Sequence, residues 1–206
     1  MNILITAGPT REPIDPVRYI GNRSSGRMGA ALAAAAIAAG HRVTAILGPV
    51  NYHLPETALR IDVETTRQMH DAVLTEFPAN DLLIMAAAVA DYRPKTIHSQ
   101  KLARNQSLTL ELEPTEDIIA AAIRSKRLNQ RTIGFSLEAP GNLTRAREKL
   151  DRKHLDLMVY NPIDTMNSLT VEATLLWPDG RSQSLPRLSK EDFAKSLIEC
   201  AMGVFR

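Results

Sequence analysis

The apolar positions of this chain change period several times, and each change marks an element. Residues 2–7, NILITA, form a short, β-branched and nearly continuous apolar run, the pattern of a strand buried on both faces. A long polar loop follows. Ser24, Ser25 and Gly26 then open an alanine-rich stretch, AALAAAAIAA, that predicts a helix ending at Gly40, a good C-cap position. RVTAILG predicts a second strand and ALRIDV a third, and residues 66–77 carry apolar positions at helical spacing. DLLIMAAAVA predicts another buried strand that runs into a loop of small residues.

Residues 92–113 break this rhythm. YRPKTIHSQKLARNQ is polar and basic, and SLTLELE alternates with period two, as a half-exposed strand does. The segment reads as an arm or flap inserted into the alternation. TEDIIAAAIRSK predicts a helix with Thr115 as N-cap and two acids in its first turn. RTIGFSLE is a strand, 142–153 a charged helix and LDLMVYN a further strand. EATLLW, the turn PDG and RSQSLP predict a hairpin, and 189–203 the closing helix.

Strands alternating with helices predict an α/β fold, a doubly wound, mostly parallel Rossmann-like three-layer sheet with a C-terminal β-hairpin. Residues 1–206 read as one domain with the flap at 92–113, since neither repeats nor linkers interrupt them.

Composition narrows the function classes. A formal charge of +2 gives no general attraction to nucleic acid or membrane. The longest apolar run is too short to span a bilayer, and residues 1–7 lack a basic start, so a soluble cytoplasmic protein is expected. The single cysteine, Cys200, lies in an apolar pattern that predicts packing rather than catalysis. The five histidines show no metal-ligand spacing.

Ligands of such sheets bind at the carboxyl ends of the strands. Four features meet there: the loop after the first strand, AAAVADYRP, the end of GFSLE and YNP. The S-x-G-x-x-G spacing at 24–29 suits phosphate on a helix N-terminus, although such residues also open helices that bind nothing. NAD is disfavoured. The glycines lie far beyond the strand, and the second strand ends LGPV, without an acid for a ribose hydroxyl. Arg11, Arg18, Arg23 and Arg27 fit a polyanion, since guanidinium binds phosphate bidentately. Lys149 and Lys153 share one helix face, where Glu148 and Asp151 could simply pair with them.

Taken together, GPTREPIDPVRYIGNRSSGRMG at 8–29 and AAAVADYRP resemble the phosphopantothenoylcysteine synthetase family of coenzyme A biosynthesis. The family pattern runs close to G-P-T-R-E-P-I-D-P-V-R-x-I-x-N-x-S-S-G-x-M-G, which is far more specific than a glycine fingerprint. Lys101, the GF at 134–135, and Lys149 and Lys153 before LDLMVYN extend the likeness over almost the whole chain. No flavoprotein half precedes it in the sequence, so a stand-alone bacterial-type form is expected.

The resemblance implies a two-step ligation. The carboxylate of 4′-phosphopantothenate attacks the α-phosphate of CTP, or ATP in eukaryotic relatives, and the amine of cysteine then displaces CMP from the acyl-cytidylate. It also implies Mg²⁺ with the triphosphate, no flavin, a homodimer, a closing flap, and a separate flavin-dependent decarboxylase as a candidate partner. Arg18 and Asn22 would serve the acyl intermediate, with the Asn22 amide donating to the acyl carbonyl. Lys101, Lys149 and Lys153 would neutralise phosphate charge. Gly8, Ser24, Ser25 and Gly26 would hold the phosphates, Ala86, Ala87 and Ala88 would lie along the nucleotide, and Asp91 and Phe135 would face the base. The metal ligands are not assigned.

Four departures from the pattern stand out. Position 21 is Gly where Ser or Thr is usual, the flap reads KLAR rather than K-x-K-K, TED replaces NPD near 115–117, and SLEAP replaces AAET after Phe135. The last two touch the nucleotide rim and leave CTP against ATP open. Two other readings compete. A short-chain reductase needs Tyr-x-x-x-Lys, which no tyrosine here provides, and a catalytically silent nucleotide-binding subunit would not need Asn22, Arg18 and Lys101.

Overall fold

The computed structural model describes residues 1–104, 107–163 and 168–203. Six strands form the parallel part of one sheet: β1 (Asn2–Ala7), β4 (Arg42–Leu47), β5 (Leu59–Asp62), β6 (Leu82–Met85), β9 (Arg131–Glu138) and β10 (Leu157–Pro162). The sheet is completed by the antiparallel pair β11 (Thr170–Leu176) and β12 (Ser182–Ser189), giving the order β12-β11-β10-β9-β6-β1-β4-β5. The order reverses at β1: the chain first moves out through β4 and β5, then returns to β6 on the other side of β1. The crevice between the loops after β1 and β6 is therefore the switch point where such sheets take ligands.

The apolar run of β1 is continuous because both faces of the sheet are covered. Ile3, Ile5 and Ala7 face α1 (Arg27–Ala38) and α5 (Lys190–Gly203), through Leu32, Ala33, Phe193 and Leu197. Leu4 faces the other way, with Ile46, onto α2 (Thr66–Glu76) and α3 (Ile118–Arg124). Helix α4 (Leu143–Arg152) covers the β9–β10 side through Ala146 and Leu150. Each fully buried Leu or Ile in these layers contributes about 1.5–3 kcal/mol. The three-layer α/β expectation, with its terminal hairpin continuing the sheet, is met.

Close approach sets the geometry of α1. A Cβ on Gly29 would lie 2.1 Å from the Ala7 Cβ, so only glycine lets the helix start rest on the end of β1. Gly26, the N-cap, is left-handed with φ 76°. Gly40, at φ 80°, follows the last turn as expected.

Three local expectations need correction. The loop after β1 is ordered as a hairpin of β2 (Arg11–Pro13) and β3 (Tyr19–Gly21), strands too short to give a period-two signal. Residues 107–111 are not a strand; only β8 (Leu112–Pro114) pairs, because its partner β7 (Tyr92–Pro94) has three residues to offer. Thr115 is not the cap of α3. Asp117 accepts from the Ala120 N–H, while the Thr115 hydroxyl donates to the Ala90 carbonyl at 2.6 Å. Chain direction decides this: the turn ends two residues later than propensity suggests, and the shorter carboxylate takes the cap.

Candidate active site

The strand ends open onto one cleft of about 1090 Å³. Of the sequence-predicted residues, Asn22, Ser24, Ser25, Gly26, Ala86, Ala87, Ala88, Asp91, Phe135, Lys149 and Lys153 line it. Gly8, Arg18 and Lys101 do not. The ends of β6, β9 and β10 contribute, and the far end of the long loop after β1 supplies residues 21–26.

One wall is the loop that leads from β3 into α1. Asn22 Nδ2 donates to the carbonyls of Val89 at 2.8 Å and Ala88 at 3.3 Å. Two carbonyl acceptors identify this atom as the nitrogen of the amide. The loop after β6 is held in turn by Gly8, whose carbonyl accepts from the Ala88 N–H at 2.8 Å. Gly8 is left-handed, at φ 79°, and a Cβ there would meet Val50 at 2.8 Å. Its part is to shape the wall rather than to touch the cleft.

Behind this wall lies a buried polar cluster that sequence inspection overlooks. The Glu12 carboxylate accepts from the Thr66 N–H and hydroxyl at 2.8 and 2.7 Å, the Thr66 hydroxyl meets that of Thr10, and Thr10 accepts from the Ala90 N–H. Glu12 sits at the N-terminus of α2, where a carboxylate is favoured. The cluster ties hairpin, helix and β6 loop together. Nothing in the sequence marks it beyond the place of Glu12 inside the conspicuous motif.

Arg18 points elsewhere. Its guanidinium pairs with Asp15, whose side chain is fully buried, and also donates to the Leu102 carbonyl at 2.8 Å. Asp15 accepts from the N–H groups of Val17, Arg18 and Leu102 as well. The Arg18 guanidinium, helped by these N–H donors, holds the Asp15 carboxyl well below the usual carboxylate range. Both backbone polar groups of Leu102 are thus caught by one ion pair, which fixes the base of the KLAR segment. Lys101 itself is exposed.

The opposite wall carries cations from α4. Lys149 pairs with Glu138, and Lys153 with Asp117 at 3.1 Å. The partners are therefore not Glu148 and Asp151. Burial alone would raise the Glu138 carboxyl, but donation from Lys149 and Ser136 outweighs it and leaves the group below its ordinary value. Phe135 is half-buried, packing on the core with one side while it lines the cleft. Arg145, Arg152 and Lys190 also line the cleft and were not singled out by sequence. Among the described residues no group of three or more His, Cys, Asp or Glu could hold a metal ion. Cys200 packs against the core, and burial pushes its thiol up. No described helix is long and apolar enough to cross a membrane.

Comparison with known proteins places the chain in a family. Residues 1–204 match the family described as DNA/pantothenate metabolism flavoprotein C-terminal domain. The chain is 43% identical over 203 residues to the coenzyme A biosynthesis bifunctional protein CoaBC of Vibrio cholerae, covering 95% of this chain and 51% of that protein. Identity to the Escherichia coli CoaBC is 40% over 207 residues, covering 97% and 51%. The chain thus spans about half the length of these relatives. The crystal structure of the C-terminal domain of a CoaBC protein superposes with a TM-score of 0.85 at 37% identity, covering 97% of this chain and 93% of that one. A Cab2 variant complexed with phosphopantothenate-cysteine shares the fold, with a TM-score of 0.81 at 18% identity over 98% of this chain and 87% of that one. With its eight-stranded sheet, its switch-point cleft and this match along nearly its full length, the chain belongs to the DNA/pantothenate metabolism flavoprotein C-terminal domain family, the phosphopantothenoylcysteine synthetase part of CoaBC.

Proposed function

We propose that this chain joins 4′-phosphopantothenate to cysteine through an acyl-cytidylate. The observation that carries the reading is the position of Asn22. It lines the cleft between the start of α1, with Ser24, Ser25 and Gly26, and the β6 loop, Ala86 to Ala88. A triphosphate resting on α1 would present its α-phosphorus beside that residue.

In the first step the pantothenate carboxylate oxygen bonds to the α-phosphorus, and the bond to the bridging oxygen breaks as pyrophosphate leaves. Bringing two anions together demands charge neutralisation, which Lys149 and Lys153 supply from the opposite wall and Lys101 could supply from the 92–113 segment. In the second step the cysteine amine bonds to the acyl carbon, CMP departs and the amine loses a proton. With its amide hydrogens held by Ala88 and Val89, Asn22 offers the substrate its Oδ1, an acceptor suited to the amine. Donation to the acyl oxygen would require the longer bond, to Ala88, to break.

Mg²⁺ fits as an ion brought by the triphosphate. The cleft carboxylates Glu116 and Asp117 already pair with Arg93 and Lys153, leaving Asp91, which the family resemblance puts at the base, as the candidate protein ligand beside phosphate oxygens in place of that role. When bound, the ion would neutralise the phosphate charge that builds up in the first step. The reading includes a homodimer, a flap at 92–113, and cytoplasmic placement downstream of a flavin-dependent decarboxylase. CTP is favoured over ATP by the family pattern.

The test is pyrophosphate release from purified protein given Mg²⁺, 4′-phosphopantothenate, cysteine and CTP or ATP. Turnover with CTP is expected. Silence with both nucleotides would sink the ligase reading.

A further inference from the structure

Two helices begin beside the cleft, and each starts with a cation. Arg27 is the first residue of α1 and Lys190 the first of α5. A helix start carries partial positive charge, so acids are favoured there and bases are not. The first turn of α1 contains no acid. The first turn of α5 does contain Glu191 and Asp192, but Asp192 is committed to Ser189 and Lys195.

Lys190 and Arg27 also repel each other. Burial, followed by the nearby Arg27, pushes the Lys190 ammonium below its ordinary value, with only Glu191 acting in the other direction. Among the described residues, Lys190 makes no ion pair. In this respect it differs from Lys149 and Lys153, which have Glu138 and Asp117. Among the described residues the Arg27 side chain makes one hydrogen bond, donating to the Tyr52 hydroxyl, a neutral partner. Both cations line the same cleft as Ser24, Ser25 and Gly26.

An arrangement of two unneutralised cations at two positive helix ends is locally unfavourable, and an anion resolves all of it at once. We propose that Lys190, with Arg27, clamps the terminal phosphates of the nucleotide, the part that leaves as pyrophosphate. This rests on the ligase reading for the identity of the nucleotide. As the bond from the α-phosphorus to its bridging oxygen breaks, the electron pair passes to the departing pyrophosphate, and Lys190 stands where that charge accumulates. The lysines of α4 then serve a different section of the chain of phosphates, across the cleft.

Binding of inorganic tripolyphosphate, CTP and CMP, each with Mg²⁺, to the full chain and to Lys190→Gln and Lys190→Arg tests this by calorimetry. The Gln variant should lose about tenfold in affinity for CTP and tripolyphosphate, the worth of one charge-assisted hydrogen bond, and stay within about twofold for CMP. The Arg variant should recover most of the loss. Equal weakening of CTP and CMP, or no weakening of tripolyphosphate, overturns the clamp. Removing a repelled, half-exposed cation should leave the melting temperature unchanged or raised. Should Lys190→Gln fail to fold, Arg27→Gln carries the same expectation for tripolyphosphate over CMP. A wild-type protein that binds tripolyphosphate through Lys190 but never releases pyrophosphate would overturn the ligase reading and leave the clamp standing.

Discussion

Asn22 Nδ2 donates to the Val89 carbonyl at 2.8 Å, and that bond fastens the loop after β1 to the loop after β6. The two loops flank the switch point, so one side chain closes the crevice wall and, on the proposed ligase reading, would also face the reacting centre. The proposed chemical part of Asn22 can be separated from this positional one by the order of steps.

Asn22→Ala should still release pyrophosphate in a single turnover while forming little amide. If Asn22 accepts from the amine, loss of one such positioned hydrogen bond should slow amide formation by about 10²-fold or more. Rapid-quench measurement of both products checks this. Equal loss of both steps would mean that the residue serves the wall alone.

Gly29→Ala tests the contact that seats α1. The added methyl would meet the Ala7 Cβ at 2.1 Å, so helix and strand must separate. Stability should fall by about 1–3 kcal/mol in urea unfolding, and nucleotide affinity should fall with it, because Gly26 and Ser25 move with the helix. Unchanged unfolding would show that α1 can shift without cost.

Lys149→Gln and Lys153→Gln should differ. Both remove a cleft cation and should raise the KM for the nucleotide. Lys149→Gln also takes from Glu138, whose side chain is only 7% exposed, the closer of its two cations and leaves Arg145 at 3.5 Å, whereas the Asp117 side chain beside Lys153 is 48% exposed. Urea unfolding should show a clear loss for Lys149→Gln and less than about 1 kcal/mol for Lys153→Gln. A reversed order would contradict the assigned pairs.

Asp15→Asn should loosen the segment beyond β7. Leu102 loses its carboxylate acceptor and Arg18 its partner, so trypsin should cut at Lys101 and Arg104 several-fold faster. The folded-state carboxyl titrates below its ordinary value of 3.8, so its contribution to stability is complete above that pH. Protonation removes the contribution as pH falls further. The melting-temperature advantage of wild type over Asp15→Asn should hold at neutral pH and shrink as the solution is taken below pH 4. A constant gap would mean that Asp15 is not ionised in the folded protein.

The central strands were legible because burial on both faces leaves continuous apolar runs, as in NILITA and DLLIM. Helix ends were legible where one residue type is physically required, as at Gly40. The short strands β2 and β3 were not, because three residues cannot show a period. Nor was Glu12: nothing local distinguishes a carboxylate that will cap a helix 54 positions later from one that faces water. The motif at 8–29 pointed to the cleft as a whole, but it did not separate residues that line it from those that support it.

By itself the sequence determined the layer order, the family and the neighbourhood of the site, since these follow from periodicity and from a long, specific motif. Only the tertiary structure decided the division of labour. Asn22 lies in the cleft while Arg18, four residues earlier, turns away to Asp15 and Leu102. Lys149 and Lys153 find acids on β9 and before α3 rather than on their own helix. Lys190, distant in sequence and outside every motif, arrives beside Arg27 without an ion pair among the described residues. Charge pairing depends on distances through space, and chain spacing does not fix those until the sheet has brought its strand ends together.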